Sequence, residues 1–135
     1  MPQSKYRLVW IEDDPELLRL ARLILSHKGY EVIPVNDSRD GVATIRREKP
    51  DVVMLDLMMP NVDGWDIYNE IKADPDLKHI PVIVVTAKAH AADKAMALHL
   101  AKVDGYLTKP YEQAQLFDLL AQVIQRRSKN PSAAG

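Results

Sequence analysis

Residues 51–64 read DVVMLDLMMPNVDG. The run Val52-Val53-Met54-Leu55 is apolar without alternation, which is typical of a strand that is covered on both faces. The run ends at a carboxylate, Asp56, and the proline, asparagine and glycine that follow it are typical of a loop. This segment therefore predicts a buried strand that delivers a carboxylate to a loop.

The same kind of unit recurs along the chain, because short β-branched runs alternate with longer amphipathic segments. Asp14 and Pro15 are typical of the N-cap and first residue of a helix. The pattern predicts an α/β fold in which five βα units form a doubly wound parallel sheet. The predicted strands are 6–11, 30–35, 51–56, 81–86 and 104–108. The predicted helices are 15–28, 38–48, 64–73, 89–101 and 112–127.

Length and composition limit the function classes. The 135 residues suit one domain, which we place at 1–127, with 128–135 as a disordered tail or the start of a linker. A net charge of -1 gives no basic field for nucleic acid, and the absence of cysteine excludes disulfides and thiolate chemistry. No apolar run approaches the roughly 18 residues of a membrane span, and the N-terminus lacks an export signal. We therefore expect a cytoplasmic protein.

Polar side chains follow four of the predicted strands. In a doubly wound sheet the ligand crevice lies outside the carboxyl ends of the strands, so these side chains are expected to meet there. Three carboxylates, one hydroxyl and one ammonium are brought together in this way: Glu12, Asp13, Asp56, Thr86 and Lys109.

This set of groups favours a hard divalent cation and a phosphoryl group. Clustered carboxylates repel one another, and oxygen ligands of this kind suit Mg2+. Asp56 is then placed as the nucleophile, with Lys109 neutralising the transferred oxygens and Thr86 donating a hydrogen bond. The sequence therefore predicts a catalytic set of these three residues beside a metal site.

The motifs together resemble a response regulator receiver domain over about residues 5–127. The resemblance rests on residues 9–17, on 51–64, on Thr86-Ala87-Lys88 and on 105–110, which read GYLTKP. It implies a flavodoxin-like (βα)5 fold with strand order 2-1-3-4-5. It also implies a phosphorelay switch, rather than an enzyme, that at most hydrolyses its own aspartyl phosphate.

The resemblance implies specific ligands for the metal. Asp13, Asp56 and the Met58 carbonyl would bind Mg2+, with Mn2+ as an alternative, and Glu12 would act mainly through a metal-bound water. Asp56 would be phosphorylated by a histidine kinase or a histidine phosphotransfer protein.

The resemblance further implies a cis peptide bond between Lys109 and Pro110. Thr86 and Tyr106 would be switch residues that report to the face formed by the fourth helix, the fifth strand and the fifth helix. That face would contact a downstream protein target or an output domain, or form a phosphorylation-dependent dimer. Direct nucleic-acid binding and membrane contact are not expected of this domain.

Two other functions fit parts of the pattern. A metal-dependent phosphatase or phosphotransferase would also use an aspartyl phosphate, but it usually needs a second Asp where Met58 stands. A flavodoxin-like flavin protein would need a Ser/Thr/Gly-rich phosphate loop after the first strand, where Glu12 and Asp13 would repel the phosphate. The sequence leaves open the function of Lys88, and whether the domain stands alone or comes from a longer chain.

Overall fold

A computed structural model describes residues 6–60, 62–87, 99–100 and 102–129. Five parallel strands form one sheet in the order β2-β1-β3-β4-β5, which confirms the predicted fold and strand order. The strands are β1 (Tyr6–Ile11), β2 (Tyr30–Val35), β3 (Val52–Asp56), β4 (Val82–Ala87) and β5 (Gly105–Lys109). Because all strands run the same way, their carboxyl ends share one edge.

Aspartate side chains cap the start of two helices, α1 (Pro15–Ser26) and α3 (Gly64–Ala73). Asp14 accepts hydrogen bonds from the N–H groups of Glu16 and Leu17, and Pro15 is the first residue of α1. Asp63 accepts the N–H of Trp65 at the start of α3. The helices are α1 (Pro15–Ser26), α2 (Gly41–Glu48), α3 (Gly64–Ala73) and the C-terminal helix (Gln113–Lys129).

Helices cover both faces of the sheet, and successive strand residues point to opposite sides. Leu8 and Trp10 face α1 and the C-terminal helix, whereas Val9 and Ile11 face α2 and α3. All four are fully buried. This double coverage explains why the strands are continuous apolar runs.

Gly64 allows α3 to start close against the end of β3. A Cβ at this position would lie 2.8 Å from the Leu57 Cα and 3.2 Å from the Asp56 carbonyl oxygen. A side chain there would push the helix away from the sheet edge. The glycine therefore sets how tightly the loop after Asp56 is folded.

Several boundaries differ from the sequence prediction by one to three residues, whereas α2 ends at Glu48 as predicted. Asp37 caps a short 3-10 turn, Ser38–Asp40, so α2 begins at Gly41. Lys49 ends α2 in the left-handed region, with φ 46° and ψ 61°. The C-terminal helix continues to Lys129, past the predicted end at 127, since extending a helix that has already formed adds one hydrogen bond for each residue that is fixed.

Some predictions lie outside the described residues. Lys88 does, and so does most of the predicted helix 89–101, of which His99 and Leu100 are described and helical. Among the residues that the structure describes, no helix combines the length and apolar character needed to cross a bilayer.

Candidate functional site

Three carboxylates meet at the carboxyl edge of the sheet. Glu12 and Asp13 follow β1, and Asp56 ends the neighbouring strand β3. One oxygen from each residue lies within 4.8 Å of the other two. Glu12 and Asp56 are buried, whereas Asp13 is exposed. The cluster is therefore open to solvent on the Asp13 side, where a cation could enter.

Lys109 brings a positive charge to this cluster. Its Nζ lies 2.8 Å from Asp56 Oδ2 and 3.4 Å from Glu12 Oε2. The Lys109–Pro110 peptide bond is cis. The ammonium offsets part of the repulsion that three neighbouring carboxylates would otherwise experience.

Both oxygens of Asp56 have partners. Oδ2 accepts from Lys109, and Oδ1 accepts the backbone N–H of Met58 at 2.7 Å. The side chain of Met58 is exposed. The sequence pattern did not indicate the Met58 N–H contact, since a backbone donor is placed by loop conformation rather than by residue type.

The protonation states follow from burial and from these contacts. Burial raises the pKa of Glu12 to about 8, and its hydrogen bond to Asp56 adds to the rise. Burial by itself would raise the pKa of Asp56, but hydrogen bonds from Glu12, Lys109 and Met58 hold it below its ordinary value. Of the two carboxyl groups, Glu12 therefore keeps a proton and Asp56 is anionic.

The pKa of Lys109 is raised. Burial acts in the opposite direction, but the hydrogen bond and negative charge of Asp56, together with Glu12, outweigh it. Lys109 is therefore a fixed cation at the site.

Thr86 is placed near the end of β4, the strand next to β3. It is fully buried, and its hydroxyl has no hydrogen-bond partner among the described residues. A buried hydroxyl without a partner is costly, so this group is free to donate to an acceptor that arrives.

Tyr106 lies in β5 opposite Val84 of β4. Half of its side chain is exposed to solvent. The structure therefore does not bring Tyr106 into the acidic cluster.

Tyr111 is a site neighbour that the sequence analysis missed. It is half-buried, and burial raises its pKa. The charge of Lys109 lowers this pKa, whereas the charges of Glu12 and Asp56 raise it further. The available signal was its position directly after Pro110, at the end of β5.

The donor set fits a hard cation. The three carboxylates offer oxygen ligands only, which is the chemistry that Mg2+ prefers. The exposed Asp13 leaves room for waters, which Mg2+ usually retains. The anionic Asp56 beside a fixed ammonium can receive a phosphoryl group, and the unpartnered Thr86 hydroxyl near the end of the neighbouring strand is a further donor.

Comparison with known proteins gives one consistent result. The family model for the response regulator receiver domain matches residues 8–121. Protein PilH of Pseudomonas aeruginosa is 34% identical over 119 residues, which cover 87% of this chain and 97% of PilH. The DNA-binding dual master transcriptional regulator RpaA of Synechocystis is 33% identical over 128 residues, covering 95% of this chain and 53% of RpaA. The chain spans about half the length of RpaA and several other curated relatives.

Solved structures agree with the sequence relatives. The signal receiver domain of a LuxO repressor protein from Vibrio parahaemolyticus has a TM-score of 0.82 and 26% identity, covering 96% of this chain and 98% of that one. The receiver domain of a sensor histidine kinase from Pseudomonas aeruginosa PAO1 has a TM-score of 0.77 and 29% identity, covering 89% of this chain and 98% of that one. That second structure has a magnesium ion coordinated in its active site cleft.

Proposed function

Since the chain belongs to the family of response regulator receiver domains of two-component signalling, we propose that Asp56 is the residue that becomes phosphorylated. One observation carries this assignment. Asp56 is a buried carboxylate, kept anionic, with a lysine ammonium at 2.8 Å and two further carboxylates beside it. In the described part of the chain no other aspartate has these surroundings.

The phosphoryl donor is a phosphohistidine on a histidine kinase or a histidine phosphotransfer protein. An oxygen of Asp56 attacks the phosphorus, a P–O bond forms and the P–N bond breaks. The imidazole nitrogen leaves with the electron pair and takes up a proton. The low pKa of Asp56 supports this reaction because the attacking carboxylate must be unprotonated.

Lys109 and Thr86 stabilise the transferred group. Lys109 already contacts Asp56 Oδ2, and its flexible side chain can shift to a phosphoryl oxygen without leaving the site. The Thr86 hydroxyl, which has no partner among the described residues, donates to another phosphoryl oxygen. Both contacts strengthen as negative charge accumulates on the phosphoryl group.

Glu12, Asp13, Asp56 and the Met58 carbonyl would hold Mg2+, Glu12 mainly through a water. When bound, the cation neutralises the charge of the carboxylates and of the incoming phosphoryl oxygens. Mn2+ is a hard cation with similar ligand preferences and would serve in its place.

Thr86 and Tyr106 form the switch. Drawing the Thr86 hydroxyl toward phosphorylated Asp56 vacates space at the end of β4, and the Tyr106 ring moves inward to fill it. The half-exposed ring supports this proposal because its burial would stabilise the phosphorylated state.

The output is a protein contact rather than catalytic turnover. The face around β5 and the C-terminal helix would bind a downstream target or an output domain, or support a phosphorylation-dependent dimer. Hydrolysis of other substrates is disfavoured because the Met58 side chain lacks an acid or base. We place this signalling in the cytoplasm.

Mass spectrometry after incubation with acetyl phosphate and Mg2+ tests the assignment of Asp56. The parent chain should gain the mass of one phosphoryl group, and Asp56→Asn should gain none. Asp63→Asn is the matched control, because asparagine caps α3 as aspartate does and the variant should still gain one group. A gain that persists in Asp56→Asn would falsify the assignment.

Nuclear magnetic resonance tests the switch independently. Beryllofluoride, which mimics an acyl phosphate, should shift the ring signals of Tyr106 in the parent chain but not in Thr86→Ala. Unchanged Tyr106 signals in the parent, with clear shifts around Asp56, would show that the two residues are not coupled.

A further inference from the structure

We propose that the amino edge of the sheet, opposite the acidic cluster, binds a nucleoside monophosphate. A cavity of about 570 Å³ opens there between the end of α2, the loop from α3 to β4 and the C-terminal helix. Cavities that bind small molecules typically measure about 300–1,000 Å³. Because β3 is five residues long, the cavity lies about 15 Å from Asp56 and is separate from the acidic cluster.

Basic side chains form the polar wall of this cavity. Arg46 and Lys49 come from the end of α2, His79 comes from the loop before β4, and Arg127 comes from the C-terminal helix. Asp76 is the one carboxylate among the described residues that line the cavity. Guanidinium and ammonium groups donate hydrogen bonds and accept none, so a matching ligand supplies acceptor oxygens.

The two arginines are held in place by carboxylates that do not line the cavity. Arg46 Nη2 lies 2.6 Å from Asp74 Oδ2. Arg127 Nη1 donates to the carbonyl oxygen and to Oδ1 of Asp51. Each guanidinium keeps further N–H donors in the same rigid plane. A ligand can therefore bind to these donors without either ion pair breaking.

Lys49 and His79 supply donors that are not in use. Among the described residues, neither side chain has a hydrogen-bond or ion-pair partner. The backbone of Lys49 is in the left-handed region, with φ 46° and ψ 61°, which a glycine would adopt without strain. Backbone strain of this kind is often found at binding sites. A lysine at this strained position points to a use for its ammonium group.

The floor of the cavity is apolar. Pro50, Leu77 and Ile80 line it, and all three are buried. Inorganic phosphate would contact the basic wall and leave this floor uncovered. A nucleoside monophosphate satisfies both parts, because its phosphate oxygens accept from the basic groups while the base and sugar cover the floor.

The charge of the cavity suits one phosphate group better than a chain of several. Asp74 and Asp51 offset the charges of the arginines that they hold. The ammonium of Lys49 then faces the carboxylate of Asp76 across the same cavity wall. The arginines therefore act mainly as oriented donors, and a polyphosphate would find too little positive charge.

Isothermal titration calorimetry of the full chain with adenosine 5′-monophosphate (AMP) tests the site. EDTA is present, so that no metal ion links the nucleotide to the acidic cluster. AMP should bind with a dissociation constant between about 10 μM and about 1 mM, since the cavity is open to solvent that screens its charges. Adenosine and inorganic phosphate, which each lack one part of the ligand, should bind at least about tenfold more weakly.

Two substitutions should change the affinity for AMP in opposite directions. Lys49→Gly removes the ammonium and keeps the left-handed backbone, so it should weaken binding about three- to tenfold in a folded protein. Asp76→Asn removes the carboxylate of the cavity wall and should strengthen binding severalfold. Lys78→Gln is the matched control. It removes a positive charge from the same loop as His79, but Lys78 does not line the cavity, so the affinity should change less than about twofold.

Nuclear magnetic resonance locates the bound nucleotide. The backbone amide signals of Lys49, Leu77 and Ile80 should shift most on addition of AMP. Shifts centred on Asp13 and Asp56 instead would overturn the proposal, because the nucleotide would then bind at the acidic cluster.

Three calorimetric results would also overturn the proposal: no binding of AMP up to about 1 mM, binding of inorganic phosphate as tight as that of AMP, or equal losses in Lys78→Gln and Lys49→Gly. The second result would show a site for a free anion only, and the third a general effect of charge. None of these measurements involves phosphorylation, so they do not depend on the assignment of Asp56.

Discussion

Lys109 Nζ lies 2.8 Å from Asp56 Oδ2, across 53 residues of sequence. The two residues end β5 and β3, and β4 lies between these strands. Two strand spacings amount to about 9–10 Å, a gap that a long lysine side chain together with an aspartate can bridge. The contact therefore requires both the strand order and the length of the lysine.

Lys109→Met should increase the affinity for Mg2+ severalfold. The ammonium repels a cation bound by the same carboxylates and occupies an oxygen of Asp56, so its removal frees a ligand. Tryptophan fluorescence titration measures the affinity. Lys49→Met, which removes an exposed lysine away from the site, should leave the affinity unchanged, and equal affinities for Lys109→Met and the parent would contradict the expectation.

Asp13→Asn should weaken Mg2+ binding by about tenfold or more, because a hard cation loses one anionic oxygen ligand. Phosphorylation by acetyl phosphate should slow in parallel. Asp14→Asn is a matched control at the next position: Asp14 caps α1, asparagine caps equally well, and Mg2+ binding should not change. If both variants lose affinity alike, the general negative charge of the loop rather than Asp13 determines binding.

The stability of the metal-free protein should fall between pH 5 and pH 8. Burial raises the pKa of Glu12 from 4.5 to about 8, so the folded state keeps a proton that the unfolded state releases. Stability from this group is present below about pH 4.5 and is lost as the pH rises through about 8. Urea unfolding in EDTA should show a shallower pH dependence for Glu12→Gln than for the parent. Equal pH dependence of the unfolding free energy in Glu12→Gln and the parent would contradict the raised pKa of Glu12.

Met58→Asn should speed the loss of phosphate from Asp56. An amide two residues after the phosphoacceptor can hydrogen-bond an attacking water, whereas a thioether is only a weak acceptor. The parent should therefore lose its phosphate slowly, and acid-quenched decay compares the two rates. Met58→Leu should lose its phosphate at the rate of the parent. If Met58→Asn loses its phosphate no faster than Met58→Leu, water positioning at this residue does not limit hydrolysis.

Lys49→Gly should stabilise the fold by up to about 1 kcal/mol. Lys49 ends α2 with φ 46°, a region in which a side chain is strained and glycine is not. Ala43→Gly, within the same helix, should instead destabilise by about 1 kcal/mol. Chemical denaturation measures both changes, and a loss of stability in Lys49→Gly would show that the lysine side chain makes a compensating contact.

Local chemistry in the sequence determined the strands, most helix starts and the residue types of the site. Four consecutive apolar residues before Asp56, with turn residues on both sides, favoured a buried strand, and Asp14-Pro15 fixed the start of α1. These features depend on residues close together in sequence, so they can be read without the fold. The common direction of parallel strands then predicted that Glu12, Asp13, Asp56, Thr86 and Lys109 would lie at one edge.

Only the tertiary structure decided the contacts and charge states within that site. The sharing of a proton between Glu12 and Asp56 depends on burial by the whole sheet, and the Met58 N–H contact depends on how the loop packs beneath Gly64. The left-handed Lys49 likewise has no local signal. The reason is that burial, desolvation and backbone strain are set by neighbours distant in sequence, whereas propensity and capping are set by neighbours along the chain.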